Sequence, residues 1–124
     1  MRVIRGRDPD AATEKRSGTF TGDVWGTPLL PPTGGVMINH VHFAPGGRTH
    51  WHETGQVLVV TAGEGRACTD GGEPHVIAAG DVVWIPAGER HWHGAAPDTF
   101  MSHLAISIGG HDWQEPVADE DHGP

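Results

Sequence analysis

Cysteine and basic side chains are scarce in this chain, and long apolar runs are missing. The single cysteine, Cys68, has no partner for an intrachain disulfide. Eight lysines and arginines stand against sixteen aspartates and glutamates, a formal net charge of −8 with histidine neutral. A surplus of that sign repels phosphate backbones and anionic bilayers, so neither nucleic acid nor a membrane is an expected partner, and a small molecule is. No segment approaches the roughly 20 apolar residues of a membrane span, and Met1 to Arg16 lacks the apolar core of a secretory signal. The expectation is therefore a cytoplasmic protein. There is no Ser-His-Asp order, phosphate-binding loop or dinucleotide fingerprint, and no repeat at solenoid spacing.

What is present is turn chemistry. Nineteen glycines and ten prolines in 124 residues, with no long amphipathic run, predict one all-β domain of short strands and tight turns. Five of the eight basic residues (Arg2, Arg5, Arg7, Lys15 and Arg16) fall in the first sixteen positions, so residues 1–18 read as a mobile arm or edge segment. Residues 19–108 form the folded body. Strands are expected at Thr19 to Trp25, Val36 to Phe43, His50 to His52, Gln56 to Ala62, Arg66 to Thr69, His75 to Ala79, Asp81 to Ile85, His91 to Ala95 and Phe100 to Ser107. Thr27 to Gly35 reads as a loop, and hairpins are expected at Gly63-Glu64-Gly65 and Asp70-Gly71-Gly72. Residues 109–124 carry five acids and no lysine or arginine, which predicts a solvated, partly disordered tail that Trp113 could anchor.

The ten histidines are where chemistry is expected. In a strand, alternate side chains share a face, so His50 and His52 point one way and Trp51 the other. Gln56 and His91 can bring a third and fourth donor to the same point if the strands curl into a barrel. Three imidazoles and one amide oxygen suit Mn, Fe, Ni, Cu or Zn and leave room for substrate. A neutral glutamine leaves the full dipositive charge on the cage, which favours an anionic ligand. His93, two residues after His91, faces the same cavity in a regular strand. His103 interrupts an apolar strand, where an imidazole needs a partner or a function. These two are the candidate acid–base pair. Among the others, Val41 and Phe43 are expected inside with His40 and His42 outside, while His75, His111 and His122 are expected to be solvated. Trp84 and Trp92 read as wall or core residues, and Trp51 is expected to pack on the far face of its strand.

The motif His50-x-His52-xxx-Gln56, then six residues and Gly63, together with Gly80, Pro86, Gly88 and His91 in series, resembles the two motifs of the cupin superfamily. The resemblance implies a cupin-type double-stranded β-helix, or jelly-roll, barrel. Gln56 stands where the general first motif has glutamate, and Ala95 where the second ends in asparagine. More narrowly, Phe43 to Thr49 (FAPGGRT), Gly55 to Gly63 (GQVLVVTAG), Gly80 to Pro86 (GDVVWIP) and His91 to Ile106 (HWHGAAPDTFMSHLAI) resemble the small bacterial cupin hydroxynitrile lyases of the (R)-mandelonitrile lyase type. That likeness implies a divalent transition metal, manganese first and Fe, Ni or Zn as alternatives, held by His50, His52, Gln56 and His91. His93 and His103 then become pocket histidines that are not ligands. The implied reaction is reversible cleavage of a cyanohydrin to an aldehyde and cyanide. A metal-dependent dioxygenase, a polyketide cyclase or isomerase, and a non-catalytic small-ligand-binding cupin are the alternatives. Barrels of this kind hide their sheet edges by self-association, so a homodimer or homotetramer is expected.

Overall fold

The computed structural model describes residues 1–6 and 12–124. Ten strands run in chain order: β1 (Glu14–Arg16), β2 (Phe20–Thr21), β3 (Val24–Thr33), β4 (Val36–Phe43), β5 (Arg48–Thr49), β6 (Gly55–Thr69), β7 (His75–Ala78), β8 (Val82–Ile85), β9 (His91–Ala95) and β10 (Met101–Ile108). A short helix, α1 (Asp119–His122), follows as the one helix among the described residues. No helix among the described residues is long and apolar enough to cross a membrane. All strand pairings are antiparallel, in the order β1-β3-β4-β10-β6-β9-β5-β2, with β7 and β8 also paired to β6.

Strand β6 holds the two walls of the barrel together. Its first half pairs with β10 and β8, and its second half with β9 and β7. The hairpin expected at Gly63-Glu64-Gly65 is absent, because the chain bends there instead and continues as one strand of fifteen residues. Gly63 makes the bend: its φ is +75°, and a Cβ there would run into the Phe100 carbonyl. Asp70-Gly71-Gly72 does turn the chain back, from β6 into β7. The segment expected to be a loop at Thr27 to Gly35 is mostly strand, since β3 reaches Thr33 and pairs with β4 through two register shifts that absorb its prolines.

The interior is filled by alternate residues: Val24 of β3, Val41 and Phe43 of β4, Leu58 and Val60 of β6, and Met101 and Ala105 of β10. His40 and His42 lie on the other face of β4, half-buried, as expected from the alternation. Trp92 is fully buried, whereas Trp84 is 66 % exposed and belongs to no core.

The acidic C-terminal segment is docked rather than solvated. Trp51 N–H donates to the Glu115 carbonyl, and Gln114 N–H to the Trp51 carbonyl. Val117 is buried against Trp51, Cys68 and Trp92. His122 is also buried, within hydrogen-bond reach of the Ala95 carbonyl and with its ring beside Trp92. The tail's backbone and Asp119 thus serve a buried cation: Arg48 donates to the Val117 carbonyl from Nε and Nη2, to the Gly46 carbonyl, and to Asp119 at 2.6 Å. Of the N-terminal arm, Glu14 to Arg16 form the edge strand on β3, and residues 7–11 of the expected arm lie outside the described residues.

Candidate metal centre and cleft

Four buried side chains meet inside the barrel. His52, His91 and His93 offer ring nitrogens within 4.8 Å of one another, and each Nε2 lies 3.0–3.1 Å from the same atom, Oε1 of Gln56. Gln56 leads β6, and β9 supplies both His91 and His93, which share a face because they are two residues apart. His52 comes from an isolated bridge, its backbone exchanging hydrogen bonds with His91. The expected strand at His50 to His52 is reduced to Arg48–Thr49, so His50 and His52 are not related by regular alternation. His50 is half-buried and stands outside the compact group, its Nδ1 3.1 Å from the Gln114 carbonyl.

The proton positions follow from what each ring nitrogen faces. A carbonyl only accepts, so Nδ1 of His52 donates to the His50 carbonyl (2.9 Å), and Nδ1 of His91 to that of Glu89 (2.7 Å). Burial pushes His52 down to about 4 and lowers His91, so both rings are neutral and each Nε2 carries a lone pair. The amide of Gln56 is oriented by its own N–H group, which reaches Ser107 Oγ at 3.0 Å. Its oxygen therefore faces the two imidazole lone pairs. Acceptors facing acceptors at 3.1 Å repel unless a cation lies among them, so this donor set fits a divalent metal. His50 has the same anchoring, with Nδ1–H directed at a main-chain carbonyl, an arrangement that orients metal-ligating imidazoles.

His93 is held differently. Its Nδ1 lies 2.9 Å from Nε2 of His103 on β10, so one proton is shared between two fully buried rings. Nδ1 of His103 has no hydrogen-bond partner among the described residues. Burial holds His93 well below the ordinary range and His103 at about 3. An unsatisfied acceptor is tolerated better than an unsatisfied N–H, so the resting tautomers run His103 Nε2–H to His93 Nδ1, and His93 Nε2–H to Gln56 Oε1. Phe43 closes the back of the pair, its ring centroid 5.1 Å from that of His103.

A cleft of about 450 Å³ opens onto this cluster, and His93 and Gln56 form part of its wall. Phe20, Leu30, Met37 and Trp113 supply apolar lining. His103 is absent from the lining and stands behind His93. Two cleft residues come from the tail: Trp113 packs on His52 with centroids 4.7 Å apart, and His111, expected to be solvated, stacks on Trp113. The one signal for them in the sequence was an aromatic residue inside an acidic segment.

Comparison with known proteins agrees with this architecture. Residues 39–107 match the cupin domain family. A protein of Granulicella tundricola named (R)-mandelonitrile lyase is 50 % identical, over 83 % of this chain and 85 % of that one. A cupin-like protein from Thermotoga maritima superposes with a TM-score of 0.84 at 37 % identity, covering 93 % of this chain and 95 % of its own. The polyketide cyclase RemF from Streptomyces resistomycificus shares the fold at 21 % identity and a TM-score of 0.74, covering 97 % of this chain and 89 % of its own. With both motif regions, the barrel and the buried histidine cluster accounted for, the chain belongs to the cupin domain family.

Proposed function

We propose that this cupin is a metal-dependent lyase that reversibly cleaves cyanohydrins into an aldehyde and cyanide. One observation carries the reading: the buried donors His52, Gln56 and His91 stand beside the His93–His103 imidazole pair at the wall of an apolar cleft, in a chain 50 % identical to a protein named (R)-mandelonitrile lyase. His50, His52, Gln56 and His91 hold the metal, manganese in the first instance. The common orientation of the three imidazoles, each with Nδ1 on a main-chain carbonyl, supports that set over one containing His93. A bound divalent cation supplies Lewis acidity that makes a hydroxyl easier to ionise.

The remaining chemistry belongs to the chain. His93 reaches the cleft and takes the hydroxyl proton at Nε2 once the pair exchanges its resting tautomer for the one with His93 Nδ1–H directed at His103 Nε2, an exchange favoured when Gln56 Oε1 is given to the metal and no longer accepts from His93. The carbon–carbon bond to the nitrile then breaks, and its electron pair leaves with cyanide. The same proton returns to cyanide as hydrogen cyanide, and the aldehyde is left in the cleft. His103 orients His93 and stabilises its protonated form through their shared hydrogen bond. Phe20, Leu30 and Trp113 accommodate the apolar body of the aldehyde and exclude water.

The test is to incubate the manganese-loaded protein with mandelonitrile under anaerobic conditions and follow benzaldehyde. Release well above that of the metal-free protein is expected, without oxygen consumption when air is admitted. No release above the metal-free control would falsify the lyase reading, and oxygen uptake would favour a dioxygenase.

A further inference from the structure

The cleft has an unusual charge balance for this molecule. The chain carries a net charge of −8, yet among the described residues no aspartate or glutamate lines the cleft, and Arg16 is the one lining residue with a permanent charge. Arg16 is half-buried at the end of β1 and has no carboxylate partner among the described residues. Arg16 lies opposite Val24, and Val24 and Gly26 share the inward face of β3. Gly26 sits in mid-strand with no positive φ to explain it, and a glycine there weakens a strand. The space explains it: a Cβ at position 26 would lie 2.8 Å from Nη2 of Arg16 and 3.0 Å from its Cζ. The missing side chain of Gly26 thus leaves the space that the guanidinium occupies beside the cleft.

We infer that the preferred ligand of this cleft carries a carboxylate, recognised by Arg16, on an apolar body that Phe20, Leu30, Met37 and Trp113 enclose. A guanidinium at a wall without acids among the described residues is suited to pair with a planar carboxylate through two parallel N–H bonds. Arg16 is then a specificity residue, separate from the His93 chemistry. In its catalytic form the inference rests on the lyase reading, with a cyanohydrin of a carboxylated aldehyde as substrate. In its binding form it does not.

The experiment therefore has two arms. Binding of benzoate and of uncharged benzamide to the full manganese-loaded chain is measured by calorimetry for the wild type, Arg16→Gln, Arg16→Lys and Gly26→Ala, with thermal melting to confirm folding. Benzoate is expected to bind the wild type at least about ten-fold more tightly than benzamide, as a charge-assisted pair should. Arg16→Gln should abolish that preference, Arg16→Lys should keep part of it, and Gly26→Ala should weaken it by displacing the guanidinium while leaving the charge in place. Unchanged benzoate affinity in Arg16→Gln, as would follow if the metal alone took the carboxylate, overturns the inference, as does a wild type with no preference. In the second arm, Arg16→Gln should raise KM for 4-carboxymandelonitrile by a much larger factor than for mandelonitrile, and an equal change for both overturns the inference. If neither cyanohydrin turns over while the benzoate preference depends on Arg16, the lyase reading fails and this inference stands.

Discussion

At the scale of single residues, the site is decided by where each imidazole spends its Nδ1. His50, His52 and His91 give theirs to main-chain carbonyls, and His93 alone shares its own with another ring. Replacing His50, His52 or His91 by alanine should therefore cut metal content measured on the purified protein. His93→Ala should keep the metal and lose about a hundred-fold or more in kcat, the usual contribution of a placed acid–base group. Full metal retention in His50→Ala, with loss in His93→Ala, would exchange the two residues' roles. The His103 ring makes a second prediction. Its folded pKa is about 3 against an ordinary 6.5, so below pH 6.5 the unfolded chain binds a proton that the folded one does not. Stability of the metal-free protein, read as the urea midpoint, should fall as pH drops from 6.5 towards 3, and His103→Phe should flatten that part of the profile. An equal slope in wild type and variant would remove the buried neutral imidazole from the account. The ligand spacing was legible in the sequence because His-x-His and Gln56 are local features. His111 was not, because nothing in an acidic segment states that it folds back.

At the scale of elements, β6 and the C-terminal segment depart most from a strand-by-strand reading. Glycines flanking Glu64 look like a hairpin, but a turn and a bend use the same positive φ. Which forms depends on whether the chain beyond meets its own strand or another one, and Glu64 to Thr69 meet β9 and β7. The tail is held by partners remote in sequence: Trp51, Arg48, Arg66 and Ala95. Deleting residues 111–124 should destabilise the protein by several kcal/mol, since it leaves the buried Arg48 with the Gly46 carbonyl as its one remaining acceptor and uncovers Trp92. Denaturant titration measures this. A truncated protein as stable as the full chain would mean that the tail contributes no structure. The same deletion removes Trp113 from His52, so any metal site that survives should bind aromatic ligands more weakly.

For the whole molecule, closure of the barrel is what gathers the site. Gln56 lies on the strand common to both walls, His91 and His93 on β9 of one wall, and His103 on β10 of the other. A cation held by donors from several segments links them and binds only the folded form. At a thousand-fold excess over Kd this adds about 4 kcal/mol of stability, which raises Tm by roughly 10–20 °C in a domain of this size. Chelation should lower Tm by that amount, and manganese should restore it. Melting indifferent to both would remove the metal from the proposal.

By itself the sequence determined the β class, most strand positions and the two histidine motifs, because alternation, glycine turns and ligand spacing are short-range properties of the chain. Tertiary structure alone decided that His103 stands behind His93 and not in the cleft wall, that the acidic tail supplies Trp113 and His111, and that Arg16 lies in the space left by Gly26. Each of these depends on which distant segments the barrel brings into contact, and on the desolvation that follows when they close over one another.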